Sequence, residues 1–278
     1  MASVALYNGQ AVAHPIIENR GLAYGDGLFE TIACIDGELR HWDAHISRLG
    51  SGCETLKISA PNFSALQRET LSLLGDRERA IAKIIITRGA GGRGYTPTVT
   101  AQSDRLVQLF DWPRQLDVWR STGISIGICE TILASNAQLA GLKHLNRLEQ
   151  VLAAGECQQF GWDEGLMRTA SGNVICGTKT NLFLVKNGVL VTPGVSKCGV
   201  AGTMRSKVIS AADALNVTFA ERDVTIESLL DADNLFVTNA VIGLAHVNQL
   251  TCDFKQKTLI NDYGPCSLVS ELRDHLGI

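Results

Sequence analysis

Nine lysines occur in the chain, and three stand where an amine could do chemistry. Lys143, in AGLKHLNRLEQ, falls at the expected start of an amphipathic helix, between Leu142 and Leu145. Partial desolvation there would lower its pKa toward the range in which a free amine attacks a carbonyl. From spacing alone, a stem along the helix with its head in water is the simpler account. Lys83 in AIAKIII and Lys179 in CGTKTN are rivals, and each also reads as an edge-strand lysine reaching solvent. A second chemistry is anion binding. GVAGTMR sets Gly199, Gly202 and Thr203 before an apolar-periodic helix, so free amides and a hydroxyl would face a phosphate. Such caps also occur without ligands. GAGGRGY, with Arg93, could cradle an anion on backbone amides, but it has neither Walker spacing nor a dinucleotide-loop context.

The elements that must position these groups are mixed. Asn8-Gly9, Asp36-Gly37 and Asn187-Gly188 are turn signals between apolar flanks. Asp43 can cap a helix carrying Ile46, Leu49, Cys53 and Leu56 on one face. The spacing predicts strands over 80–88, 105–111 and in GISIGIC, then a helix over 142–157 with Leu145, Leu148 and Leu152 on one face. It further predicts an NLFLVKNGVLVTP hairpin, helices over 202–216 and 225–230, and a buried NLFVTN strand. No βαβ rhythm and no internal repeat is present, so the expected class is α+β in two domains. The smaller domain is expected over 1–112, a polar linker over 113–121 after Trp112-Pro113, and the larger domain over 122–278.

Composition narrows the function classes. Among 278 residues, 45% are hydrophobic and 19% charged, with a net charge of −3. That suits a globular protein with a large core and gives no electrostatic footprint for nucleic acid. No apolar run approaches a bilayer span, and the N-terminus lacks the pattern of a secretory signal, so no membrane partner and a cytoplasmic location are expected. Eight cysteines occur without a C-x-x-C pair, which favours buried free thiols over disulfides or zinc. The six histidines show no metal-ligand spacing, and no metal is expected.

NRGLAYGDGLFET, HISRL, TRGAGGRGY, AGLKHLNRLEQ, TNLFLV, GVAGTMR and FVTNAV occur in one order that resembles the fold-type IV pyridoxal-phosphate family, from about Ala5 to Val247. That family holds branched-chain aminotransferases, D-amino-acid aminotransferases and aminodeoxychorismate lyases. AGLKHLNRLEQ with GGRGY is similar to the lyase branch. The resemblance implies a D-amino-acid-aminotransferase-like fold with pyridoxal 5'-phosphate in the interdomain cleft, a homodimer, and a small-molecule substrate. By position it implies that Lys143 carries the cofactor as a Schiff base and moves the proton. By the same resemblance Arg48 would pair with the cofactor phosphate, Thr203 and Met204 would offer helix-start amides to it, and Asn239 and Ala240 would form a further phosphate-side turn. The resemblance further implies that Tyr24 faces the site, that Thr31 lies near the reacting carbon, and that Arg93 and Tyr95 bind substrate carboxylates. Fixed cationic donors for a phosphate and a dicarboxylate are chemically apt.

One position departs from the pattern. Where the family has a glutamate five residues before the asparagine of NLF, this chain has Cys176, with the unusual Lys179 three residues on. A neutral thiol cannot hold the pyridine proton as an ion pair, and a thiolate would need a lowered pKa. Transamination should suffer most from that loss, whereas elimination of pyruvate from 4-amino-4-deoxychorismate is helped by aromatisation. A D-amino-acid or branched-chain aminotransferase, and a repurposed homologue with an altered site, are the alternatives.

Overall fold

The computed structural model describes residues 4–11, 19–98, 102–254 and 257–278. Contacts divide the chain into two units, one of 1–113 with 142–146, the other of 114–141 with 147–278.

The first unit contains β1 (Val4–Tyr7), β2 (Gln10–Ala11), α1 (Arg20–Tyr24), β3 (Gly27–Ile35), β4 (Glu38–Leu39), α2 (Trp42–Leu56), α3 (Phe63–Leu74), β5 (Arg79–Thr87) and β6 (Asp104–Asp111). The strands form one antiparallel sheet in the order β2-β1-β6-β5-β3-β4. Alternation along β5 buries Ala80, Ala82, Ile84 and Ile86 and leaves Ile81, Lys83 and Ile85 half-buried. The buried set joins Leu28, Ile32, Val107 and Leu109 in a core covered by Leu49 and Cys53 of α2 and Leu66 and Leu74 of α3. Asp36-Gly37 and Asn8-Gly9 both hold positive φ at both positions, which suits the tight hairpins they close.

The second unit contains α4 (Gln115–Thr122), β7 (Ile124–Ile132), α5 (Leu148–Phe160), β8 (Glu164–Arg168), β9 (Val174–Gly177), β10 (Asn181–Lys186), β11 (Val189–Thr192), α6 (Thr203–Ala214), β12 (Phe219–Glu221), α7 (Ile226–Leu230), β13 (Asn234–Asn239), β14 (Gly243–Phe254), β15 (Lys257–Asp262) and α8 (Ser267–Leu276). Its sheet runs β12-β11-β10-β13-β14-β7-β8-β9, with β15 on β14, and it mixes parallel with antiparallel pairs. β9 also pairs back to β10 at Cys176 and Asn181, so six strands close into a barrel. One core cluster packs α6 and α8 against Phe183 and Phe236, whose rings stack at 5.0 Å. A second lies under α5 and gathers Cys129, Cys157, Cys176 and Cys198 with Met167 and Ile175. All eight cysteines are free and seven are buried, Cys266 being partly exposed.

The polar stretch 113–121, expected to link the two domains, holds α4 over most of its length. Leu116 is buried there, Trp119 donates to Asp163 at 3.0 Å, and Arg120 donates to the Val241 and Ile242 carbonyls at 2.6 and 2.7 Å. The helix expected over 142–157 starts only at Leu148, since the backbone of 142–145 pairs with β3 instead. Its expected apolar face is not the buried one either. Leu148 is 78% exposed and Val151 and Leu152 are each 64% exposed, while Ala153 and Cys157 face the core.

Gly165 shows how tightly that core is drawn. A Cβ there would lie 2.4 Å from the Cys129 sulfur and 2.6 Å from the Cys157 sulfur. Gly165→Ala is expected to destabilise the chain by about 2 kcal/mol through overpacking, and Cys129→Ala in the same chain to recover much of that loss. Urea denaturation of the single and double variants measures both; equal midpoints for the wild type and Gly165→Ala would contradict the account.

Candidate active site

Lys143 is placed by backbone pairing. Its carbonyl accepts from the Phe29 amide at 2.9 Å, the Leu145 amide donates to the Gly27 carbonyl at 3.0 Å, and His144 bridges Leu28. The close approach needs glycine at 27, where a Cβ would meet the Ile86 carbonyl oxygen at 2.4 Å and Leu145 at 2.8 Å. In this register Lys143 stands opposite Phe29, and its amine lies 4.3 Å from the Phe29 ring centre. Phe29 and Thr31 share a face of β3, and Thr31 is paired with Lys83 on β5. The Lys83 ammonium lies over the same Phe29 ring at 5.5 Å. One patch of the first unit therefore carries Lys143, Phe29, Thr31 and Lys83.

Between Phe29 and Thr31, Glu30 points the other way and is 1% exposed. Its carboxylate takes a two-pronged hydrogen bond from Arg48, with Nε at 2.8 Å, and contacts the Nδ1 of His45, itself 0% exposed, at 2.6 Å. Burial pushes the Glu30 carboxyl up, but the hydrogen bonds from His45 and Arg48 outweigh it and hold it below its ordinary value. The guanidinium of Arg48 is thus fixed in direction by a buried anion rather than free to swing on α2.

Tyr24 lies at the end of α1, its ring 5.4 Å from that of Tyr95, with the Arg20 guanidinium 4.8 Å over it. Arg20 is buried, is bonded to Asp26 at 2.9 Å, and donates to the carbonyls of Gly91, Gly94 and Tyr95 at 3.4, 3.0 and 3.1 Å. Arg88 bonds the same Asp26 carboxylate at 2.7 Å. Burial raises the Asp26 carboxyl, and the two arginines bring it below the ordinary range. Arg20 thereby folds the glycine loop, leaving Arg93 and Tyr95 exposed at its tip. Glu30, His45, Arg20 and Asp26 were not singled out from sequence. Charged residues inside NRGLAYGDGLFET, between apolar ones, were the available signal.

In the second unit, Cys176 is buried at the barrel closure. Burial pushes its thiol up to about 12, Glu164 and Cys198 add to the rise, and Arg147 opposes it. The side chain is a neutral thiol. Lys179 is turned to the Asp163 carbonyl at 3.2 Å and the Trp119 ring at 4.9 Å. Glu164, another residue missed from sequence, is a buried carboxylate that accepts from the Thr178 amide at 3.0 Å, the Thr178 hydroxyl at 2.5 Å and the Thr180 hydroxyl at 3.0 Å, holding the turn after Cys176.

Thr203 and Met204 open α6 and are both buried; the N-cap is Gly202, without a side-chain cap. The Thr203 hydroxyl is buried with no hydrogen-bond partner among the described residues. An anionic oxygen at this helix start would complete it, so the donor set fits a phosphate. Asn239 spends its side chain on its own turn, accepting from the Val241 and Ile242 amides at 2.9 and 2.8 Å and donating to the Lys179 carbonyl at 3.2 Å. Ala240 stands inside that turn. Among the described residues no group of His, Cys, Asp or Glu could hold a metal ion, and no helix is long and apolar enough to cross a membrane.

Residues 27–250 match the family described as Amino-transferase class IV. The chain belongs to that family. Its members are pyridoxal-phosphate enzymes. An aminodeoxychorismate lyase of Vibrio harveyi is 36% identical over 244 residues, covering 88% of this chain and 90% of that protein. A D-alanine aminotransferase of Bacillus licheniformis is 28% identical over 246 residues, covering 84% and 82%. The crystal structure of 4-amino-4-deoxychorismate lyase from Pseudomonas aeruginosa superposes with a TM-score of 0.89 at 38% identity, covering 99% of this chain and 100% of that one.

The Glu30 cluster is expected to tie stability to pH. A carboxyl held low in the fold stabilises above its unfolded value and loses that contribution as pH falls through the folded value. Wild-type stability should therefore fall below its ordinary 4.5. Glu30→Gln should be less stable at neutral pH by about 3 kcal/mol and flatter across the acid window. Denaturation midpoints against pH check both, and parallel acid limbs in the two proteins would refute the assignment.

Proposed function

We propose that the chain is an aminodeoxychorismate lyase, releasing pyruvate from 4-amino-4-deoxychorismate to leave 4-aminobenzoate. The observation that carries this reading is the neutral thiol at Cys176, taken with the likeness to the two lyases. When bound, pyridoxal phosphate would draw charge away from the carbon that bears the substrate nitrogen. With a thiol in place of a carboxylate, the ring nitrogen has no anionic partner to keep it protonated. A reaction that must store charge in the ring is disfavoured, and an elimination driven by aromatisation is favoured.

In this reading Arg48, Thr203, Met204, Asn239 and Ala240 hold the phosphate, Arg48 pre-aimed by Glu30 and Thr203 through its unpartnered hydroxyl. Tyr24 would stand on the Lys143 side of the cofactor, and Cys176 would take the place of the carboxylate at the pyridine nitrogen. Lys143 removes the proton from the carbon bearing nitrogen, the ring C–O bond breaks, and its electron pair leaves on the enolpyruvate oxygen. Thr31, or a water it holds, protonates the departing unit. Arg93 and Tyr95, on the loop folded by Arg20, bind a substrate carboxylate. The reading also includes a cytoplasmic homodimer whose product serves folate synthesis. Leu148, Val151 and Leu152, exposed together on one side of α5, support a second copy as the apolar partner.

Incubation with 4-amino-4-deoxychorismate should yield pyruvate and 4-aminobenzoate in equal amounts, and Lys143→Ala should yield neither. A holoenzyme that converts amino acids to oxo acids but releases no pyruvate would overturn the proposal in favour of transamination. Cys176→Glu should raise turnover, and it should also raise half-transamination, read as loss of the cofactor's visible band on adding an amino acid. Turnover unchanged or lower in a folded Cys176→Glu protein would remove the thiol from the explanation.

A further inference from the structure

Four cysteines gather under α5, and the proposed reaction uses one of them, Cys176. Two of the others stand face to face. Cys129 of β7 and Cys157 of α5 both lean over Gly165 of β8, their sulfurs 2.4 and 2.6 Å from the point where a Cβ of that residue would lie. The two thiols are hydrogen-bonded to each other, and the Cys129 thiol also reaches the Ala153 carbonyl at 3.8 Å. A second tie holds the same two elements at that separation. The Glu156 carboxylate, one residue before Cys157, accepts from the Glu130 and Thr131 amides at 2.6 and 2.9 Å and from the Thr131 hydroxyl. The segment of β7 that carries Cys129 is therefore clamped to the turn of α5 that carries Cys157. Thiols that serve only as small apolar groups need no such contact.

The pair is also unequal. Cys129 is 0% exposed and Cys157 8%. Burial pushes up the thiols of Cys34, Cys53, Cys176, Cys198 and Cys252. Cys129 is pushed up too, by its hydrogen bond to Cys157 and then by burial. Cys157 is the exception among the buried thiols: the hydrogen bond from Cys129 brings it below its ordinary value against burial and Glu164, with Lys179 helping. The thiolate is the form that attacks an oxidant, and a neighbouring thiol is what turns the first product into a disulfide. We propose that Cys157 and Cys129 form a reversible oxidation site for a hydroperoxide, Cys157 attacking and Cys129 resolving. The Cys157 sulfur attacks one peroxide oxygen, the O–O bond breaks, and the other oxygen leaves with the thiol proton as water or an alcohol. Cys157 is then a sulfenic acid. The Cys129 sulfur displaces its hydroxyl, which leaves as water with the Cys129 proton, and the S–S bond forms. Two thiols and one hydroperoxide thus give one disulfide, one water and a second water or alcohol, and a small-molecule thiol reverses the change. The bond staples α5 to β7 where Glu156 already clamps them, and it leaves Cys176 reduced. The inference holds whichever reaction the chain catalyses.

The test exposes reduced holoenzyme of the wild type, Cys157→Ala and Cys129→Ala to hydrogen peroxide, then counts thiols after quenching and unfolding and maps the peptides by mass. The wild type should lose two of its eight thiols, joined as a cross-link between Cys129 and Cys157, and regain them with dithiothreitol. While cross-linked, its Tm should rise by about 5 °C, since the bond closes a loop in the unfolded chain. Cys157→Ala should lose thiols about tenfold more slowly. Cys129→Ala should stop at a sulfenic acid on Cys157, which dimedone labels. A cross-link between Cys176 and Cys198 instead, or oxidation that begins at any thiol other than Cys157, overturns the proposal. So does a folded wild type that keeps all its thiols under peroxide that oxidises the unfolded chain, or a Cys157→Ala protein that loses them as fast as the wild type. The wild-type peptide map decides the matter by itself if an alanine variant fails to fold.

Discussion

Glu30 is an ionised side chain in the middle of a strand whose inward neighbours are Leu28 and Ile32, and it is stable there only while Arg48 and His45 of α2 reach it. Because side chains alternate along a strand, that requirement also decides the other face. With Glu30 turned in, Phe29 and Thr31 are turned out, and the edge of β3 presents to Lys143 the residues its amine sits over. A slip of one residue would bury Phe29 and Thr31 and expose the carboxylate. The ion cluster thus does two things at once: it aims the guanidinium of Arg48 and sets the face on which Lys143 lies.

The second unit is organised by other means. A closed barrel leaves no free edge where β9 returns to β10, and Cys176 is the residue at that closure. Its surroundings are thiols, Ile175 and Met167, with charge at a remove in Glu164, Arg147 and Glu149. Such a setting keeps a thiol protonated. The Glu164 carboxylate is committed to the Thr178 and Thr180 turn. The Thr203 hydroxyl is the complementary case, a buried polar atom with no partner among the described residues.

Much of this was legible in the sequence where the cause is local. Asn187-Gly188 forms its turn because both residues adopt positive φ, and Thr225 caps α7 through Ser228, three residues on. The ordered motifs placed the chain in its family before any geometry. Long-range causes were not legible. Residues 142–147 carry a helical pattern, yet the unfilled edge of β3, more than a hundred residues earlier, takes their hydrogen bonds. The apolar stripe of Leu148 and Leu152 reads as a core face, but the sulfur-rich core takes Ala153 and Cys157 instead. Arg20, Asp26 and Arg88 are each ordinary alone; their meaning lies in bonds between residues 6 and 62 positions apart.

The path of the chain has a consequence for inheritance. Residues 142–146 belong to the first unit although the chain on either side belongs to the second. A crossover near Pro113, the seam that a linear view of the sequence suggests, would bring the lysine segment from one parent and the β3 edge that receives it from the other. Lys143 and the Gly27–Phe29 edge must therefore come from compatible parents, so chimaeras in this fold would exchange whole sites more readily than halves.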